Sequence, residues 1–384
     1  MDRDVLVAGA GPVGLSVALG LARAGRRVLV VEKEPQTAEH SRAPVIWPRT
    51  QEVLARLGVL ERFLAEGISL AELRLHDADR ERTLLRLPLA ELAGETPHPR
   101  LLVLPQSDTE RLLLEAVRRC PEAEVRFSTE AVGLEQDGDG VRLLCRGPGG
   151  AEETFSGRFL AGCDGAHSAV REAIGGELRG ETYDLEAALA DVELRPDADL
   201  PFPRISTSEG PAIGIRIDAR TWRLILPFAA GDESDLGERV DRAVLRLFPG
   251  RRHVPIWSSR FRLHRRVSTR WVDRRVALAG DAAHLNSPVG GQGMNAGIQD
   301  AEALVSALLE ALDRGAPEPL EVYVDARRRA IEQGVNPFTN RLTQVLLVGR
   351  GRLVRPVFAL ARLALRLPPL RHRLLRRLAM LETS

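Results

Sequence analysis

Six residues, Gly9-Ala10-Gly11-Pro12-Val13-Gly14, constrain this chain more than any others. They form a G-x-G-x-x-G run between an apolar segment (residues 4–8) and a helical one (Pro12 to Arg23), with Gly25 just beyond. A second apolar run, Arg27 to Val31, ends at Glu32. Strand, glycine turn, helix and strand make a β-α-β unit, which implies a parallel sheet covered by helices. In such a turn Gly9 permits the tight bend, Gly11 lets the backbone approach a pyrophosphate, and Gly14 lets the helix pack closely. The helix N-terminus, entered at Pro12 and Val13, offers free N–H groups and the positive dipole end to phosphates. Glu32 can accept hydrogen bonds from a ribose diol and repels a 2′-phosphate, so the turn suits FAD or NAD rather than NADP. Lys33, beside it, is placed at the same end of the cofactor.

The chain then alternates. A helix is expected over 49–57, stopped at Gly58, and another over 107–119, with Ser107 before an acidic first turn. From about 124 to 160 short strands are punctuated by Asp137-Gly138-Asp139-Gly140 and Gly147-Pro148-Gly149-Gly150. Residues 186–194, 212–217, 221–228 and 256–267 are strand-like, and Arg275 to Ala279 is a buried strand followed by a long helix, Gly293 to Leu312. The expected fold is α/β: a doubly wound, Rossmann-like domain over 1–174 with small inserted strands at 70–105. A mostly antiparallel β-sheet domain for substrate follows over 175–270. The first domain resumes over 271–340, and a basic C-terminal helical tail fills 341–384.

Composition narrows the class. The 384 residues are 44% hydrophobic and 28% charged, an ordinary globular mix, and Lys+Arg 54 against Asp+Glu 53 leaves no overall field for nucleic acid. Cys120, Cys145 and Cys163 are too scattered for a disulfide framework or a metal pair, which fits a reducing cytoplasm. The N-terminus lacks a signal-peptide pattern and no run of about 18 apolar residues occurs, so a cytoplasmic location is expected. Lys33 is the only lysine. The tail carries ten arginines against Glu382 alone, with leucines at helical spacing cut by Pro356, Pro368 and Pro369. Such a tail suits weak contact with an anionic membrane surface, or helices packed on a remainder that is net negative.

Two further segments carry chemistry. Residues 163–171 read Cys-Asp-Gly-Ala-His-Ser-Ala-Val-Arg, with Asp164 before a glycine. Residues 280–284 read Gly-Asp-Ala-Ala-His; Pro288-Val289-Gly290-Gly291-Gln292-Gly293-Met294-Asn295 follow and open the long helix. The second segment puts Asp281 at the C-terminal edge of a strand, where ligands bind in doubly wound folds. A second glycine-lined helix start near the first suits a large cofactor with both a diphosphate and a ring. His167 and His284, flanked by small residues, read as packing or loop residues, and no metal site is expected.

Together the three segments resemble the p-hydroxybenzoate-hydroxylase-like, class A flavoprotein monooxygenases, over roughly residues 4–340. The resemblance implies that Glu32 binds the adenosine ribose and Asp281 the ribityl chain of non-covalent FAD. It implies that Asp164 holds the diphosphate region and supports use of NADPH or NADH. Arg42 and Gln106 would contact FAD, and Pro288, Gly290, Gly291, Gly293, Met294 and Asn295 would run past the flavin ring. It implies no acid–base catalytic residue: reduced FAD reacts with O2, and the resulting C4a-hydroperoxide hydroxylates a phenolic or polycyclic aromatic. Substrate-pocket candidates are Val45, Trp47, Pro288, and Trp222 and Leu224 on one face of an alternating strand. The assembly would be a monomer or homodimer with a small-molecule aromatic as its partner. Same-fold alternatives are Baeyer–Villiger or epoxidising oxygenation, a membrane-associated quinone-pathway hydroxylase and an isoprenoid reductase. A flavin-dependent halogenase is disfavoured, since Lys33 lies at the wrong end of the cofactor and no W-x-W-x-I-P occurs. A flavin-binding regulator without turnover would share the cofactor site.

Overall fold

The computed structural model describes residues 3–38, 43–195, 200–348 and 354–382. Two large sheets organise them. The first runs in the order Val272–Asp273, Val276–Leu278, Glu152–Gly162, Arg3–Ala8, Val28–Val31 and Ala123–Arg126, with the strands Glu130–Gln136 and Val141–Arg146 extending from its middle. Its central strands are parallel, as the glycine turn required, and are buried where they approach their C-terminal ends at Ala8, Val31, Gly162 and Leu278. Helices α1 (Pro12–Arg23), α2 (Pro48–Arg56), α3 (Leu60–Glu66) and α4 (Gln106–Val117) come from the first third of the chain. α4 starts one residue before Ser107, on Pro105, so Ser107 lies inside the helix and caps nothing. α5 (Ala169–Ala173) follows, with the Ser168 side chain accepting from the Arg171 N–H.

The second sheet is mostly antiparallel, in the order His284–Leu285, Arg252–Ser268, Leu178–Arg195, Thr221–Ala229, Ala212–Arg216, Arg204–Ser206, Glu72–Asp77 and Arg82–Pro88. The strands expected within 70–105 therefore split. Leu101–Val103 stays in a small three-stranded sheet, while the 72–88 hairpin joins the second sheet by pairing Arg204 with His76. Helix α6 (Leu236–Leu247) interrupts the strand run. Its N-cap is Asp235, and Val240, Ala243, Val244 and Leu247 face the sheet core.

The chain returns through Val276–Leu278 to the long α7 (Gly293–Arg314), which ends at Gly315 in the left-handed conformation. α8 (Pro319–Arg329), α9 (Asn336–Thr343), α10 (Val354–Ala364) and α11 (Pro368–Leu378) complete the order, with π-helical turns at 330–335 and 344–348. The basic tail is docked at α11, where Leu375, Leu378, Ala379 and Met380 are buried in the main core. Arg371 pairs with Glu91, and His372 and Arg376 with Glu95. Among the described residues no helix is long and apolar enough to cross a membrane.

Candidate cofactor and substrate site

Three neighbouring parallel strands of the first sheet end in register, at Ala8, Gly162 and Leu278. The residues that come next in each case are the three sequence motifs, so the sheet delivers all of them to one edge. Hydrogen bonds lace the edge together: Cys163 N–H donates to Ala8 O (2.8 Å) and Ala279 N–H to Gly162 O (3.0 Å).

Close packing explains the glycines. Gly9 has φ +100, and a Cβ there would lie 2.4 Å from Cys163 O; one at Gly14 would lie 2.0 Å from Gly9 O. A Cβ at Gly11 would meet nothing within 4 Å, leaving open space above the start of α1. Val13 fills the gap between motifs, since a Cβ at Gly280 or Gly297 would reach its Cγ2 at 2.8 and 2.6 Å. Glu32 is aimed at this turn: its carboxylate accepts from Ala10 N–H (2.7 Å) and Glu34 N–H (3.0 Å). Lys33 is exposed and lies 4.0 Å from Glu34.

In the second motif, Asp164 accepts from the Ser168 hydroxyl and from Val170 N–H (3.1 Å). Burial pushes its carboxyl above the ordinary value. Arg171, buried, donates to Ala166 O (3.0 Å) and Ala282 O (3.2 Å), tying the second motif to the third. In the third, Asp281 opens a single turn and is exposed to solvent. Beneath that turn lies a charge cluster that sequence reasoning missed. Asp300 of α7, fully buried, accepts from Gly280 N–H (3.1 Å), lies 2.6 Å from His284 Nε2, and accepts from Arg327 Nε (2.8 Å) of α8. Burial pushes the Asp300 carboxyl up, but His284 and Arg327 outweigh it and hold it below the ordinary value. His284 stacks on Trp271 and serves this cluster; no group of His, Cys, Asp and Glu able to hold a metal occurs among the described residues.

The glycine loop before α7 is braced from below. Gly290 and Gly291 have φ +95 and +62, and Gly291 N–H donates to Pro288 O (3.0 Å). Asn295 accepts from Trp47 N–H (2.8 Å) and donates to Val45 O (2.8 Å) and Gly291 O (2.7 Å). The buried Trp47 ring donates to Gly290 O (2.9 Å), and Val45 packs under Gly291. Two of the pocket candidates, Val45 and Trp47, thus support the loop. A Cβ at Gly293 would meet nothing within 4 Å, and Met294 is half-buried. Gln106 donates to Glu110 (2.8 Å), whose other oxygen accepts from Ala38 N–H (3.0 Å). Arg42 lies outside the described residues.

One expectation is corrected. Trp222 and Leu224 do alternate on one face, but that face packs against α6, with Trp222 edge-on to Phe202 and Phe248. The opposite face carries Ile213, Ile215, Ile225 and Phe261, and it shares a cluster with Val289 of the glycine loop. Strand alternation gives two faces, and only the tertiary fold says which one turns to the loop. On the loop side Arg223 is fully buried and paired with Asp191 at 2.6 and 2.8 Å.

Comparison with known proteins agrees with this geometry. The model of a family described as FAD binding domain matches residues 2–337. An uncharacterized aromatic compound monooxygenase of Bacillus subtilis is 34% identical over 86% of this chain, which spans 66% of that protein. A 12-dehydrotetracycline 5-monooxygenase/anhydrotetracycline 6-monooxygenase of Streptomyces rimosus is 34% identical over 91% of this chain and 70% of its own length. Among solved structures, p-nitrophenol 4-monooxygenase from Pseudomonas putida superposes with TM-score 0.88 at 27% identity, covering 98% of both chains.

Proposed function

The chain belongs to the FAD binding domain family, as a flavin-dependent monooxygenase, and from that premise we propose that it hydroxylates an uncharged phenolic or polycyclic aromatic using NAD(P)H and O2. The observation that carries the reading is the register of three strand ends, which puts the three motifs on one edge beside an open helix start. The residues present fit FAD. Above Gly11 there is room for a diphosphate; Glu32, anchored at the same turn, would hold the adenosine ribose, and the solvent-facing Asp281 would hold the ribityl chain. When bound, FAD supplies the redox and oxygen chemistry.

The chain's own part is electrostatic and steric. Amides at the start of α7, from Gly293 onward, together with the helix dipole, would favour negative charge developing on a flavin held there. The loop that carries Gly290 and Gly291 is held by Asn295 and Trp47, so these groups are preorganised in the protein itself. Ile213, Ile225 and Phe261 pack in one apolar cluster with Val289 of the glycine loop, and this face would exclude water and suit a flat aromatic. Arg223 on that face is engaged by Asp191, which favours an uncharged substrate over a carboxylate. The tetracycline-type and nitrophenol relatives are named for polycyclic and phenolic substrates.

Purified protein should be yellow with dissociable FAD. A screen of phenols and polycyclic aromatics should find compounds that stimulate NAD(P)H and O2 consumption and gain one oxygen atom by mass spectrometry. Flavin binding with no stimulated turnover across the screen would instead favour a non-catalytic flavin protein.

A further inference from the structure

The outer face of α10 is bare. Val354, Phe358, Ala361 and Leu365 lie on one side of the helix, and Val354 and Phe358 join the apolar cluster that holds Ile225 and Val289. Val357, Leu360 and Leu363 recur every three residues on the other side, and Leu367 and Leu370 follow in the turn and the start of α11. These five side chains are 37–68% exposed. Contiguous apolar surface rimmed by polar groups marks an interaction site rather than ordinary exposure.

Charge identifies the occupant. No acid occurs between residues 333 and 381. Some tail arginines are consumed internally: Arg355 pairs with Asp77 and Asp79, and Arg371 with Glu91. Arg362, Arg366 and Arg373 are exposed and have no carboxylate partner among the described residues. Arg362 and Arg366 also line a cleft of about 490 Å³ between α10 and the strand Arg82–Pro88, together with Arg86 and with Glu72 and Glu91, two acids already paired with Arg74 and Arg371. An isologous contact with a second copy would bring these arginines towards their own images with no acid on the stripe to offset them.

The geometry points to α10 as an interfacial helix that lies on an anionic phospholipid surface, with the leucine stripe in the acyl boundary and Arg86, Arg362 and Arg366 on headgroup phosphates. The pocket wall built on Ile225 and Val289 lies on the inner side of the same helix. An apolar aromatic dissolved in the bilayer would therefore reach that wall across one helix thickness.

The test is co-sedimentation of the FAD-loaded protein with vesicles of phosphatidylcholine alone and of phosphatidylcholine mixed with phosphatidylglycerol. Binding to the mixed vesicles only is expected. It should weaken by about fivefold for each of Arg86→Gln, Arg362→Gln and Arg366→Gln, and be lost in Leu360→Gln/Leu363→Gln. These positions are on the surface, so flavin content should match the parent and verify folding. Equal binding to both vesicle types, or none to either, overturns the inference. So does a dimer in light scattering that Leu360→Gln/Leu363→Gln dissociates, which would assign the face to a second copy. Each readout is separate from turnover, so a failure here leaves the proposed reaction standing.

Discussion

Replacing Asp300 by leucine should damage the protein far more than an average core substitution. The carboxylate serves three donors at once, Gly280 N–H, His284 and Arg327, in a site with no solvent access. Asp300→Leu leaves a guanidinium buried without its counter-charge. Breaking one partner out of a buried pair costs on the order of 3–5 kcal/mol, whereas replacing the whole set by apolar residues is often close to neutral. Equilibrium urea unfolding, followed by circular dichroism and tryptophan fluorescence, should thus find Asp300→Leu less stable than the triple variant Asp300→Leu/His284→Leu/Arg327→Leu. The folded carboxyl is held below the ordinary value of 3.8, so its contribution is fully present above that pH. It is lost as the pH falls through the lowered value, so the acid-side loss should be steeper in the parent than in Asp300→Leu. A single variant within about 1 kcal/mol of the parent, the size of an average substitution, would refute the reasoning.

Gly14→Ala should fold poorly, because its new methyl meets Gly9 O. Gly11→Ala should fold normally but bind FAD more weakly, since its methyl takes the space above α1; thermal melts and FAD titrations separate the two. Asp281→Ala should retain less FAD after desalting while keeping the parent's circular dichroism; unchanged flavin content would remove it from the ribityl contact. A thiol reagent should modify Cys120 first. Cys145 and Cys163 are buried, and burial pushes the Cys145 thiol up to about 12 and that of Cys163 higher still, so peptide mapping after brief labelling should find the adduct at residue 120.

The glycine turn and the two aspartate motifs were legible because each is local: a few consecutive residues whose backbone geometry admits little else. Helix α1 and the parallel strands beside it followed for the same reason. What stayed hidden depends on distant partners. Asp300, His284 and Arg327 are 16 and 27 residues apart and share no period, so only the packing of α7 on α8 brings them together. The hairpin at 72–88 reaches the second sheet through Arg204, more than a hundred residues later. The expectation of sheet over 175–270 passed over α6, although Val240, Ala243, Val244 and Leu247 keep helical spacing behind Asp235. Once α6 is placed, Trp222 has an apolar surface to cover and the strand's other face turns to the glycine loop.

The three aligned strand ends have a thermodynamic corollary. Gly9, Asp164 and Asp281 come from the beginning, middle and later part of the chain, yet one ligand molecule would touch all three. The flavin then acts as a clasp whose grip adds to folding by mass action, about 2.7 kcal/mol at a hundredfold excess over its dissociation constant. Stripped of it, the polypeptide keeps its hydrogen-bonded edge but forfeits a tie that joins three distant segments at one point.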